Sequence, residues 1–178
     1  MFNRNTINSQ GSSMNLKNPS TGKILELFGP TVEFLTSPQD TQSDFCILRG
    51  IIPDGVYVPL HSHADTEDFF VISGELDCLR QENEDHKWIK ANTGDYIHVP
   101  CNVPHAWRNV SGSTTIVHIL TTKKMGKFFQ EIGRLKNSTS LPLPTPKDLA
   151  HISVVSRKYG YWNASSEENE MVSIHMSF

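Results

Sequence analysis

GVYVPLHSHADTEDFFVISG, residues 55–74, carries two histidines two positions apart, His61 and His63, and a carboxylate four positions further on, Glu67. In an extended strand residues i and i+2 point to the same face with Cα atoms about 7 Å apart, so two imidazoles at this spacing can converge on one ion. Glu67 follows a short turn and can enter the same space from the start of the next strand. A second stretch, GDYIHVPCNVPHAWRN at residues 94–109, supplies a further histidine, His105, just after a turn.

Around these two stretches, short apolar runs rich in Val, Ile, Phe, Tyr and Thr recur from Leu27 to Thr121, punctuated by Gly, Pro, Asn and Asp. Strands are predicted at Thr31–Leu35, Asp44–Ile52, Tyr57–His61, Asp68–Ser73, Glu75–Gln81, Lys87–Lys90, Tyr96–Val99, His105–Val110 and Thr114–Leu120. So many short strands at regular spacing predict an all-β sandwich or barrel. Gly74 provides one tight turn, and the polar run Glu82–Asp85 separates two other strands.

After Thr122 the period changes. Met125, Phe128, Phe129, Ile132 and Leu135 follow the i, i+3, i+4, i+7 rule of an amphipathic helix lying on the barrel. A Pro-rich linker, Leu141–Pro146, leads to a second helix with Thr145 as N-cap, Pro146 at its first position and Gly160 as its stop. Both helices are expected to cover barrel surface or a dimer seam. Residues 1–22, rich in Asn, Ser and Thr, have too little apolar patterning to offset chain entropy and are read as a flexible N-terminal arm. Within that arm Met14 competes with Met1 as the initiator. The division is therefore arm 1–22, barrel 23–122, and a C-terminal helical extension and tail 123–178.

A length of 178 residues suits one domain, and 37% apolar with 20% charged residues is ordinary for a globular protein. The net charge of −3 argues against nucleic acid as partner, because phosphate binding needs clustered Lys and Arg. With no long apolar run for a membrane span and no secretory leader pattern, a soluble cytoplasmic protein acting on a small molecule is expected. Cys46, Cys78 and Cys101 have neither metal-type nor redox-type spacing.

Together the two stretches resemble the paired motifs of the cupin superfamily. Gly55, His61, His63, Glu67 and Gly74 match the first at every spacing, and Gly94, Pro100, His105 and Asn109 match the second. From this chain's own residue usage the first motif alone arises by chance on the order of once in ten thousand such chains. The departure is Asn102, which stands where the family usually has Gly; Asn tolerates positive φ better than most residues, so the turn should survive. The resemblance covers roughly residues 27–162 and extends to the C-terminal helices of quercetin-dioxygenase-like single-domain cupins. It implies a jelly-roll β-barrel with two helices packed outside, one divalent metal ion (Fe, Ni, Mn, Zn or Cu) on His61, His63, Glu67 and His105, and a homodimer by habit of the superfamily. Three imidazoles and one carboxylate suit a first-row ion and leave open positions if it is five- or six-coordinate.

By the same resemblance, a metal-dependent dioxygenase is the favoured function, with Glu67 leaving the ion to act as base. A non-redox isomerase, lyase or decarboxylase, or a small-molecule binding or sensing module, is the alternative. Phe69 and Trp107 share strand parity with Glu67 and His105 and are candidate pocket residues. Tyr96, as a proton donor, and His118 are further candidates, against the simpler reading of each as a packed or hydrogen-bonded strand residue. His98 invites the simpler reading too. Of the acidic cluster, only Glu67 is expected to point inward, with Asp65 and Asp68 solvated.

Overall fold

A computed structural model describes residues 24–40, 43–82, 85–136 and 144–175. The expected arm 1–22 and the first residues of the Pro-rich linker lie outside the described residues.

Twelve strands are described: β1 (Ile24–Glu26), β2 (Thr31–Phe34), β3 (Phe45–Ile52), β4 (Tyr57–Ser62), β5 (Glu67–Ser73), β6 (Glu75–Glu82), β7 (Asp85–Asn92), β8 (Tyr96–Val99), β9 (His105–Arg108), β10 (Thr115–Thr122), β11 (Arg134–Leu135) and β12 (Trp162–Asn163). They form two antiparallel sheets, ordered β11-β1-β2-β3-β10-β5-β8 and β12-β4-β9-β6-β7. The pair makes a jelly roll whose sheets do not join into a closed barrel.

Alternation drives the packing: along β10 every second residue is buried, and its partners on β3 alternate in step. Cys46, Leu48 and Ile52 from β3, Val117 and Ile119 from β10, and Phe69 and Val71 from β5 thereby meet Leu76, Cys78 and Trp107 of the other sheet in one core. The short apolar runs between turn residues located all nine of the longer strands. β1, β11 and β12 have two or three residues each, too few for a period to be read, and exist because partner strands supply their hydrogen bonds.

The first helix, α1 (Lys123–Ile132), is shorter than its apolar stripe suggests. It begins at Thr122, whose hydroxyl accepts from the Met125 backbone N–H at 3.1 Å, and it stops at Gly133. Leu135 is not part of it: this residue pairs with Leu25 in β11 and is about half exposed. Gly126 lets α1 close on the sheet, since a Cβ there would meet Cys46 Sγ at 2.9 Å and Pro38 Cβ at 3.0 Å. The next helix, α2 (Pro146–Tyr159), has the expected cap, in which Thr145 and Asp148 bond reciprocally, and ends at Gly160 with φ 74°. A third helix, α3 (Ser166–Met171), was not anticipated, although Ser165 and Glu168 form a capping box whose spacing is visible in the sequence. With β11 and β12 each joining a sheet, the C-terminal extension is woven into the fold at two points.

Candidate metal centre

Adjacent strands present the three histidines. His61 and His63 come from β4 and its end, and His105 opens β9 directly opposite His61 in the β4–β9 register. The turn before β9 holds because Asn102 takes φ 63° and its N–H donates to the His63 carbonyl at 2.6 Å, tying the two motif loops together. The potential ligand nitrogens of His61, His63 and His105 all lie within 4.8 Å of one another.

One device orients all three rings. His61 Nδ1 lies 2.7 Å from the Pro59 carbonyl, His63 Nδ1 2.8 Å from the Asp65 carbonyl and His105 Nδ1 2.8 Å from the Val103 carbonyl. A carbonyl only accepts, so each Nδ1 carries a proton, which in the neutral ring leaves the lone pair on Nε2. The Nε2 atoms of His63 and His105 are buried without a hydrogen-bond partner. Each such orphan costs about 1–3 kcal/mol unless something binds it. Donors of this kind on converging imidazoles fit a divalent ion, and the three-histidine cluster can bind one.

Glu67, at the start of β5 and buried, places Oε2 3.5 Å from Nε2 of both His63 and His105. Two donors at about 2.1 Å from one ion with a tetrahedral angle between them lie roughly 3.4 Å apart, so the carboxylate is spaced to share an ion with His63 and His105, whereas the group whose ligand atoms all lie within 4.8 Å of one another takes in the three histidines and not Glu67. Burial alone would raise the Glu67 carboxyl, but the His105 and His63 rings outweigh it and hold it at about 2. Burial, reinforced by the neighbouring His105 ring, pushes the His61 imidazole down to about 3 and keeps it neutral. At His63 burial acts downward, yet Glu67 beside it wins and moves the imidazole above its ordinary value.

In front of the rings lies a cavity of about 50 Å³. His61, His63 and Glu67 form its floor, Met125, Phe128 and Phe129 of α1 one wall, and Tyr161 and Asn163 the other. α1 thus lies on the sheet as expected and in addition walls the cavity. β12 sets the second wall by pairing Asn163 with His61 and Trp162 with Ser62 on β4.

The pocket candidates divide. Phe69 and Trp107 point inward as their parity implies, stacked with ring centroids 4.4 Å apart and Trp107 5.8 Å from the His105 ring. They are core beneath the histidine cluster, outside the cavity lining. Tyr96 is a correction: it is 55% exposed, and its hydroxyl donates to Asp68 on the outer face of the sheet. His118 is a second correction, because it alternates with the buried Val117 and Ile119 and therefore faces outward between Arg49 and Phe70. His98 likewise faces out and bonds Asp68 at 2.7 Å.

Asp65 overturns the expectation of a solvated side chain. It is 4% exposed; one carboxylate oxygen accepts from the Tyr161 hydroxyl at 2.6 Å, and the other accepts from the Thr122 hydroxyl. Burial, then the Asp65 carboxylate, pushes the Tyr161 phenol far above its ordinary range, so it stays protonated and donates. Sequence reasoning missed both residues. The available signal was weak: an Asp two positions after the second motif histidine, and an aromatic just past a helix-ending glycine.

The cupin domain model matches residues 48–121. Over 100 residues the chain is 28% identical to quercetin 2,3-dioxygenase of Bacillus subtilis, covering 56% of this chain and 28% of that protein. Over 57 residues it is 35% identical to dimethylsulfoniopropionate lyase DddQ of Ruegeria pomeroyi, covering 32% of this chain and 27% of that one. The matches therefore span little more than a quarter of the length of either relative. The polyketide cyclase RemF of Streptomyces resistomycificus superposes with a TM-score of 0.54 at 15% identity, covering 62% of this chain and 80% of RemF, a likeness of fold alone. With both motifs folded onto neighbouring strands of a jelly roll and the domain model matched across them, residues 48–121 of this chain are a cupin domain.

Proposed function

We propose that this protein is a metal-dependent enzyme acting on a small organic molecule in the jelly roll, and that its reaction is an oxygen-dependent cleavage of the dioxygenase type. The observation that carries the reading is the pair of buried, unpartnered Nε2 atoms on His63 and His105, aimed at the space that Glu67 also faces. His61, His63, Glu67 and His105 would hold one divalent ion, which when bound supplies Lewis acidity and a template for substrate oxygen atoms. Glu67, kept ionised by its neighbours, is placed to take a proton from a substrate hydroxyl or an acidic C–H. The apolar side chains of α1 exclude water from that transfer.

The likeness to quercetin 2,3-dioxygenase supports the oxygen-dependent form, and that to DddQ supports a second reading, a non-redox elimination using the same base. Elemental analysis of protein purified without chelator or metal-affinity column identifies the ion. Oxygen uptake with enediol and hydroxyketone substrates then tests the reaction, and the expected result is metal-dependent consumption of dioxygen with turnover. Equal turnover without oxygen would favour the elimination. Binding without turnover across the panel would point to a sensing module instead.

A further inference from the structure

The cavity in front of the imidazoles is small, about 50 Å³, and its outer wall is fastened in place. A site for one water takes about 10–15 Å³, so the cavity of about 50 Å³ seats roughly three to five water-sized groups. A three-ring molecule such as the quercetin of the relative's name exceeds that space and would extend beyond the rim. We propose that the pocket selects compact molecules of about five non-hydrogen atoms, with oxygen toward the imidazoles and hydrocarbon toward α1, and that Tyr161 and Asn163 set this limit. The proposal rests on the metal-centred reading above.

Tyr161 is buried, its ring 5.2 Å from the His63 ring and 4.7 Å from that of Phe128. Its hydroxyl is anchored on Asp65, which also accepts from Thr122, the residue that caps α1. Lys124 adds a cation 3.6 Å from the Asp65 carboxylate and 5.1 Å from the Tyr161 ring centroid. One buried carboxylate therefore fastens both walls, α1 and the segment after α2, to the loop between His63 and Glu67. Swinging either wall outward breaks a hydrogen bond to a charged acceptor, among the stronger kinds in proteins. Asn163 is fixed independently by the β12–β4 register at the exposed rim. Chemical character follows from position: the floor is nitrogen and carboxylate, whereas the α1 wall is Met125, Phe128 and Phe129.

The test uses the full chain loaded with Co²⁺ and two metal-chelating probes, acetohydroxamate and benzohydroxamate, which differ by a methyl against a phenyl group. Binding is read from the visible absorption of the bound ion and normalised to each probe's affinity for aqueous Co²⁺. Acetohydroxamate should bind about tenfold or more tightly than its aromatic counterpart. Tyr161→Leu and Asn163→Ala should each reduce that preference by at least about threefold. Because Tyr161 belongs to a packed cluster, circular dichroism checks each variant, and Asn163→Ala at the rim carries the test if Tyr161→Leu does not fold. Equal affinities in the wild type, or an unchanged preference in the folded variants, overturn the proposal. Absence of any bound-Co²⁺ spectrum refutes the metal centre itself, and the size limit with it.

Discussion

Replacing Asp65 with Ala should destabilise the fold far more than an acidic residue in a loop normally would. The substitution removes the acceptor of the Tyr161 hydroxyl at 2.6 Å and of the Thr122 hydroxyl, and leaves the buried phenol only the weakly accepting Met125 sulfur at 3.7 Å. Hydrogen bonds to a charged group contribute about 1.5–3 kcal/mol each, and an abandoned buried donor costs about 1–3 kcal/mol. Thr122 softens the loss, since it keeps its role as acceptor for the Met125 N–H. Lys124, with its side chain 47% exposed and 3.6 Å from the carboxylate, adds at most about 1 kcal/mol. The expected loss is therefore about 3–5 kcal/mol, a large share of the roughly 5–15 kcal/mol available to a folded domain. Urea unfolding reads this as a lower midpoint at unchanged slope. Asp65→Asn and Tyr161→Phe, singly and together, complete a cycle in which the coupling should be about 1–3 kcal/mol. A change within about 0.5 kcal/mol for Asp65→Ala, or an equal loss for Lys124→Ala, would refute the assignment of this carboxylate as the fastening point. The His63 ring is oriented by the Asp65 backbone carbonyl, which the substitution leaves in place, so metal affinity should change much less than stability.

Three further outcomes follow from the same geometry. His61→Ala or His105→Ala should strip the metal on dialysis, whereas the exposed His86, His151 and His175 can be replaced without loss; elemental analysis separates the two sets. Chelation should lower the melting temperature but leave the β-type circular dichroism intact, because the core of the two sheets is complete without an ion; collapse of that signal would make the metal a structural staple. Asn102→Gly should be neutral or slightly stabilising and Asn102→Val destabilising by about 1–2 kcal/mol, since φ 63° excludes a β-branched residue; equal melting temperatures would show that the turn relaxes.

The fold class and the histidine triad were legible in the sequence because both rest on short-range spacing. Period two determines which residues share a face, so His61 and His63 had to point together, and the fixed offset from Gly94 to His105 brought the third ring in behind a turn that Asn102 accommodates. What period two cannot determine is which face is the inner one. Tyr96 and His118 sit on strands as plausible as those of Phe69 and Trp107, yet the register of β5, β8, β9 and β10 turns the first pair to the outer face and the second into the core. Contacts between distant segments were equally out of reach. Asp65 reads as a solvated loop residue until Tyr161, 96 positions away, donates to it. The same holds for the pocket: α1 announced an apolar stripe but not its partner, and β12 is a strand only because β4 lies beside it. Spacing along the chain thus determined the histidine cluster, whereas the packing of the C-terminal segments, whose free energy comes from burial against particular neighbours, decided the shape of the space in front of it.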